Sequence, residues 1–139
     1  MKYTLSARNQ FEGKVVEVNE GAVNGIVALD VNGSKVSATI SMAAIKELDL
    51  KVGDTAVAVI KATEVMVGKG ELCLSARNQF PGEVVAVEEG AVNGIVKIKA
   101  LGDIVISATI SMAAIKELGL AVGSEATAVI KATSVMIGK

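Results

Sequence analysis

The sequence predicts an all-β protein made of two tandem units, each a small five-stranded barrel with one short helix. Three observations predict it. The first is a duplication: Leu5-Ser6-Ala7-Arg8-Asn9-Gln10-Phe11 returns unchanged as Leu74-Ser75-Ala76-Arg77-Asn78-Gln79-Phe80, and 19 of 23 positions are identical between residues 5–27 and 74–96. Self-similarity at a fixed period sets the architecture before any local reading does. The second is composition. Apolar residues make up 51% of the chain, yet only Tyr3, Phe11 and Phe80 are aromatic, so the core must be built from Val, Ile, Leu, Ala and Met, a β-branched mixture that suits strands. The third is patterning, since valine-rich and alternating runs fill each repeat and leave room for a single helical stretch.

Taken in order, Lys14-Val15-Val16-Glu17-Val18-Asn19-Glu20 ends in apolar–polar alternation and reads as a half-buried strand that turns at Glu20-Gly21. Ala22 to Val31 forms a second strand, and Asn32-Gly33 is a type I′ hairpin signal leading into a third, Lys35 to Ile40. Ser41 is placed as the N-cap of a two-turn helix, Met42 to Leu48, with Ile45 and Leu48 on one face. Leu50-Lys51-Val52-Gly53 turns the chain, and Thr55 to Lys61 with Glu64 to Val67 continue as strand. Five strands with a helix between the third and fourth describe a Greek-key barrel of the oligonucleotide/oligosaccharide-binding (OB) kind.

The second repeat keeps this plan, with Ser37–Leu48 matching Ser107–Leu118 at all 12 positions. Only the hairpin differs. Asp30-Val31-Asn32-Gly33-Ser34 becomes Lys99-Ala100-Leu101-Gly102-Asp103 with one residue added, a change expected at a solvated tip. The units are assigned to residues 1–69 and 70–139, closely coupled because the junction Gly68-Lys69-Gly70-Glu71 is short.

Units of about 70 residues are marginal alone and need a staple or a partner. Cys73 is the single cysteine and there is no histidine, so neither a disulfide nor a Cys/His metal cluster supplies one. Association remains. A net charge of −1, from 14 basic and 15 acidic residues, creates no field to gather nucleic acid or anionic lipid. No apolar run nears the roughly 18 residues of a membrane span, and Met1-Lys2-Tyr3-Thr4-Leu5 lacks a signal-peptide core, so a soluble cytoplasmic protein is expected.

Catalysis is poorly supported: histidine is absent, and the repeated blocks offer no carboxylate pair, Glu47 and Glu117 reading as solvated helix residues. Cys73, whose counterpart is Thr4, reads as a small buried filler. Ser6-Ala7-Arg8-Asn9 and Ser75-Ala76-Arg77-Asn78 offer hydroxyl, guanidinium, amide and backbone donors with no acid nearby, which suits an oxyanion. A surface arginine beside an Asx-type turn is the other reading. Lys61 and Lys131 each end an uncharged strand and are either edge gatekeepers or cations held for an anion in a partly buried place. Gly21-Ala22-Val23-Asn24 and Gly90-Ala91-Val92-Asn93 either admit a ligand close to the backbone or form tight strand entries.

In this order and twice over, Ser6-Ala7-Arg8-Asn9, Gly21-Ala22-Val23-Asn24, Leu48-x-Leu50-x-x-Gly53 and Val59-Ile60-Lys61-Ala62 give the chain its resemblance to a molbindin, a tandem pair of molybdopterin-binding-protein-like (Mop) domains. The resemblance covers nearly the entire chain. It implies an OB-like fold, a ring of six domains reached here as a trimer, and molybdate or tungstate bound between domains of different subunits. One implied class of site uses Ser6, Ala7 and Arg8 of one domain with Ser41 and Lys61 of a partner, and likewise Ser75, Ala76, Arg77, Ser111 and Lys131. A second class lies near the threefold axis and uses backbone at Gly21, Ala22, Val23 and Asn24, and at Gly90, Ala91, Val92 and Asn93. This chain departs from relatives that carry threonine followed three residues later by serine, having Ser41 with Ala44 and Ser111 with Ala114, so one donor is missing.

The implied function is cytoplasmic molybdate or tungstate binding for storage and homeostasis, without catalysis, organic cofactor or cationic metal. Strings without carboxylates favour unprotonated dianions over phosphate, which carries at least one proton at neutral pH. A regulatory oxyanion-sensing module is the alternative, although neither a helix-turn-helix pattern nor a Walker motif is present. Three aromatics and a near-zero net charge argue against a nucleic-acid-binding barrel.

Overall fold

The computed structural model describes residues 5–139; the readings that rest on Met1 to Thr4, including Tyr3 and the Thr4 counterpart of Cys73, lie outside the described residues. The first repeat forms β1 (Asn9–Asn19), β2 (Asn24–Val31), β3 (Ser34–Ser41), α1 (Met42–Glu47), β4 (Thr55–Ile60), a 3-10 turn (Ala62–Glu64) and β5 (Met66–Gly68). The second repeats it as β6 (Asn78–Glu88), β7 (Asn93–Ala100), β8 (Ile104–Ser111), α2 (Met112–Leu118), β9 (Glu125–Ile130), a 3-10 turn (Ala132–Ser134) and β10 (Met136–Gly138). Two curled five-stranded sheets result, as the duplication and patterning predict.

β1 is long because it serves two partners. Asn9 to Lys14 pair with β4, Lys14 to Asn19 pair with β2, and a bulge between Val15 and Glu17 lets the strand bend from one to the other. Gly13 sits at the bend. A Cβ there would fall on the Asp30 carbonyl, and the equivalent Gly82 faces Lys99 in the same way, so only glycine lets the strands approach. The β2–β3 hairpin closes through Asn32 at φ 51 and Gly33 at φ 87, both left-handed, as a type I′ turn requires. In the second hairpin the tip is not wholly solvated: Leu101 is buried, and Asn32 Nδ2 donates to its carbonyl at 3.1 Å. The added residue is accommodated at exposed Gly102 and Asp103 while Leu101 packs inward.

The strand order departs from a barrel closed within one repeat. β10 pairs with β4 and β5 pairs with β9, giving the orders β10-β4-β1-β2-β3 and β5-β9-β6-β7-β8, so the repeats exchange their last strands. The 3-10 turns carry the chain across, and they meet where Ser134 Oγ donates to Glu64 Oε2 at 3.1 Å. Val65 and Val135, just after the turns, are each 2% exposed and fix the crossing. Buried Phe11, Leu29, Ile45 and Ile60 of the first repeat and Phe80, Ile98, Ile106 and Ile130 of the second belong to one continuous apolar core. Cys73 is no part of it. It is exposed on the connector between β5 and β6, so the reading of a buried filler is corrected: the segment holding it pairs with no strand.

Candidate functional site

Each β4-type strand ends at a lysine. Lys61 follows Ile60 and caps the 3-10 turn with extended backbone, φ −69 and ψ 140, and Lys131 does the same at φ −67 and ψ 140. Both side chains are exposed. The gatekeeper reading fails, because β4 lies between β10 and β1, and β9 between β5 and β6, and interior strands have no free edge to guard. The partial burial assumed for these lysines is also absent within one chain.

The register sets what stands beside them. Asn9 opposes Ile60, so Ser6-Ala7-Arg8 arrives at the strand end from which Lys61 leaves; Asn78 opposes Ile130 in the same way. Ser6, Ala7 and Lys61 line one cleft of about 510 Å³, completed by Leu5, Val59 and the exchanged strand's Met136, Ile137 and Gly138. Ser75, Ala76, Arg77 and Lys131 line a second of about 380 Å³, with Leu74, Met66, Val129, Thr133 and Thr39 from β3 of the other repeat. Neither lining contains a carboxylate, and Arg8, Arg77, Lys61 and Lys131 make no ion pair with any described residue. Gln10 Nε2 donates to the Ala7 and Leu5 carbonyls at 3.0 and 3.2 Å, and Gln79 Nε2 to those of Ala76 and Leu74 at 2.9 and 3.1 Å. Each of those carbonyls thereby carries one hydrogen bond, while the acceptor oxygen of Gln10, Oε1, is buried without a partner among the described residues.

Ser41 and Ser111 stand elsewhere. Each is an exposed N-cap whose Oγ accepts from the Ala44 or Ala114 N–H at 3.0 Å, so the lone pair is committed and the hydroxyl proton is free to point outward. Asn24 lies opposite Ser41 in the β2–β3 ladder and Asn93 opposite Ser111, which groups the serines with the Gly-Ala-Val-Asn loops instead of with the lysines of the same chain. Gly21 and Asn24 line a third cleft with Glu20, Thr39 and, again, Arg77. Arg77 therefore forms a wall common to the second and third clefts. A Cβ on Gly21 would fall on the Asn24 carbonyl, so the loop's own closure already requires that glycine, as the tight-entry reading has it. Ala22, Val23, Ala91 and Val92 are exposed, Val23 at 74% and Val92 at 75%.

Thr39, Met66 and Met136 contribute to these clefts and went unread in the sequence. Thr39 and its equivalent Thr109 share a strand face with Ser37, Ser41, Ser107 and Ser111, and the period-2 run of hydroxyls was the available signal. Met66 and Met136 enter only through strand exchange, for which the sequence holds no signal. Asn9 and Asn78, grouped with the donors of the motif, are instead buried, at 1% and 0% exposure, and spend their amides on the opposite repeat.

Of the titratable groups described, Asp54 is held below the usual carboxylate range, first by the hydrogen bond from Lys139 Nζ at 3.0 Å and then by the Lys51 N–H at 2.9 Å. It lies at the turn before β4 and ties down the chain just after β10.

The TOBE domain family model matches residues 5–67 and again 74–137. A probable molybdenum-pterin-binding protein of Haemophilus influenzae is 60% identical over 65 residues, 46% of this chain and 94% of that protein. The molybdenum transport protein ModE of Herbaspirillum seropedicae is 39% identical over 140 residues, 99% of this chain but 52% of that protein, so the chain spans about half the length of such longer relatives. Among solved structures, the cytoplasmic molybdate-binding protein ModG, crystallised with molybdate bound, superposes with a TM-score of 0.94 at 40% identity, covering 99% of each chain. The chain belongs to the TOBE-domain family, as a molbindin with two Mop domains in tandem.

Proposed function

We propose that this protein binds molybdate or tungstate in the cytoplasm, for storage and homeostasis, at sites between domains of a homotrimer. One observation carries the reading: two clefts present lysine, serine and backbone donors, the second with Arg77 as well, contain no carboxylate, and leave their cations without an anionic partner among the described residues. Cations without a neighbouring carboxylate stabilise a dianion, and the side-chain acceptors set beside them for a proton on the ligand are the weak, uncharged hydroxyls of Ser6, Ser75, Thr39 and Thr133. The names of the relatives, which include molybdate- and molybdenum-pterin-binding proteins, point to the same ligand.

The clefts also support placement between subunits. At about 510 and 380 Å³ they are many times the roughly 30 Å³ of a water molecule, too large for a small tetrahedral ion to touch both walls. A second copy that covers Leu5, Leu74, Met66 and Met136, each more than two-fifths exposed, would narrow them and bring in Ser41 or Ser111 with the loops around Asn24 or Asn93. Lys61 and Lys131 would gain there the shielding that one chain does not give. The reaction is binding and release only. Elemental analysis of protein purified after growth with molybdate, tungstate or neither is the test, and we expect molybdenum or tungsten in stoichiometric amounts. Protein devoid of both after growth in either would count against storage.

A regulatory role is the second reading, favoured by the similarity to ModE across the entire chain. It predicts that molybdate changes binding to a partner protein, and pull-down with and without the anion separates it from storage.

A further inference from the structure

At the seam between the repeats, two buried carboxamides each grip a single residue of the opposite sheet. Asn9 Nδ2 donates to the Ser107 carbonyl at 2.9 Å and the Ser107 N–H donates to Asn9 Oδ1 at 2.8 Å. Asn78 Nδ2 donates to the Ser37 carbonyl and its Oδ1 accepts from the Ser37 N–H, both at 2.8 Å. β3 and β8 are the outer strands of their sheets, so each amide acts as one peptide of a missing neighbour and satisfies both free groups of the edge. We infer that Asn9 and Asn78 are positioning residues that set Lys61, Lys131 and Arg77 across the seam for anion binding, an inference that rests on the function proposed above.

The geometry of the second repeat makes the case. Arg77 ends the connector that begins after Gly68, and Asn78 is the first residue of the chain beyond it to enter a strand. The grip on Ser37 therefore fixes the root of Arg77 against β3. Two residues along β3, on the same face, stands Thr39, and Thr39 and Arg77 together line both the cleft of Lys131 and the cleft of Gly21 and Asn24. Asn78 also opposes Ile130, the residue before Lys131. One buried amide thus ties the roots of two like charges to the other repeat. Cations gathered for a dianion repel one another when it is absent, and a rigid anchor behind them keeps the empty site assembled. Asn9 likewise opposes Ile60, the residue before Lys61, and so ties the root of that lysine to the second repeat.

A purely structural edge cover would do none of this selectively, and a double-mutant cycle separates the two roles. Molybdate is titrated by calorimetry into the full chain and into Arg77→Ala, Asn78→Ala and the double variant, each at a temperature where circular dichroism shows it folded. Arg77→Ala is expected to raise Kd about tenfold at half of the cleft sites and to spare the half built on Lys61. Asn78→Ala is expected to weaken the same half to a similar degree, and the double variant to bind within about twofold of Arg77→Ala alone. Additive losses, or equal weakening of both halves, would mean an edge cover only and overturn the inference. So would intact binding in folded Asn78→Ala while Arg77→Ala is impaired. If Arg77→Ala itself binds normally, the site reading beneath the inference falls with it. Should Asn78→Ala not fold, Asn78→Asp replaces it in the cycle, keeping the shape and the bond from the Ser37 N–H while losing the donor to the Ser37 carbonyl.

Discussion

Lys61 and Lys131 concentrate the functional argument at the scale of the residue. They are exposed, unpaired within the described chain and placed beside serine and arginine donors, so removing the charge while keeping the stem isolates their role. Lys61→Met with Lys131→Met is expected to weaken molybdate binding by about one to two orders of magnitude, the size of a charge-assisted hydrogen bond, while the apo melting temperature holds or rises as repulsion is relieved. Unchanged retention of molybdate would remove both lysines from the sites. Two other residues bear on stability. Asp49 adopts φ 49 where the second repeat has Gly119 at φ 61, so Asp49→Gly is expected to stabilise the chain by roughly 0.5–1 kcal/mol in urea unfolding, through relief of left-handed strain. Asp54, its pKa lowered by Lys139, contributes stability that is present above the unfolded carboxylate pKa of about 4 and fades as pH falls through its folded value. Lys139→Met should therefore melt slightly lower than the parent at pH 7, and the gap should narrow in acid to what the bond from Lys139 Nζ to the Asp49 carbonyl leaves; a gap of unchanged size in acid would deny the ion pair that part. The candidate site residues could be picked out in the sequence because each motif is a short string whose chemistry is local. Asn9 was legible as a donor and not as an anchor, since its partner Ser107 lies 98 residues away.

Among the elements, the exchanged strands carry most of the consequence. β5 has its partner in β9, so residues 1–69 alone leave one sheet edge open and one strand unpaired. Two copies of that fragment can satisfy each other as the two repeats do, and we expect a strand-exchanged dimer in light scattering; a stable monomer would show that β5 folds back on its own β4. Whereas the 3-10 turns after Lys61 and Lys131 read as continuing strand in the sequence, the hairpin and the capped helix were readable because turn and cap chemistry is written in two to four adjacent residues. The exchange was not. β5 and β10 carry nearly the same residues at equivalent places, Met66-Val67-Gly68 and Met136-Ile137-Gly138, so pairing within a repeat and pairing between repeats bury equivalent side chains. The choice is made by the direction in which the 3-10 turn releases the chain, a tertiary matter that hydrophobic pattern does not encode. The bulge at Val16 escaped for a related reason, since β1 reads as one strand while bending between two partners.

For the molecule as a whole, the repeat foretold two all-β units and the structure makes them one folded body, with a continuous core and strands held in common. What the chain leaves outside is a set of exposed Val, Leu and Met side chains around clefts that do not close on a small ion. Sedimentation is expected to give a trimer, by the molbindin resemblance, and a monomer at micromolar concentration would remove the intersubunit sites. The central claim is that clefts lined by cations and hydroxyls, with no carboxylate, select a fully deprotonated tetrahedral anion. Calorimetric titration at pH 7 of the intact protein with molybdate, tungstate, sulfate and phosphate tests it most directly. The account predicts molybdate and tungstate above sulfate, and sulfate above phosphate; phosphate bound as tightly as molybdate, or more so, would contradict it.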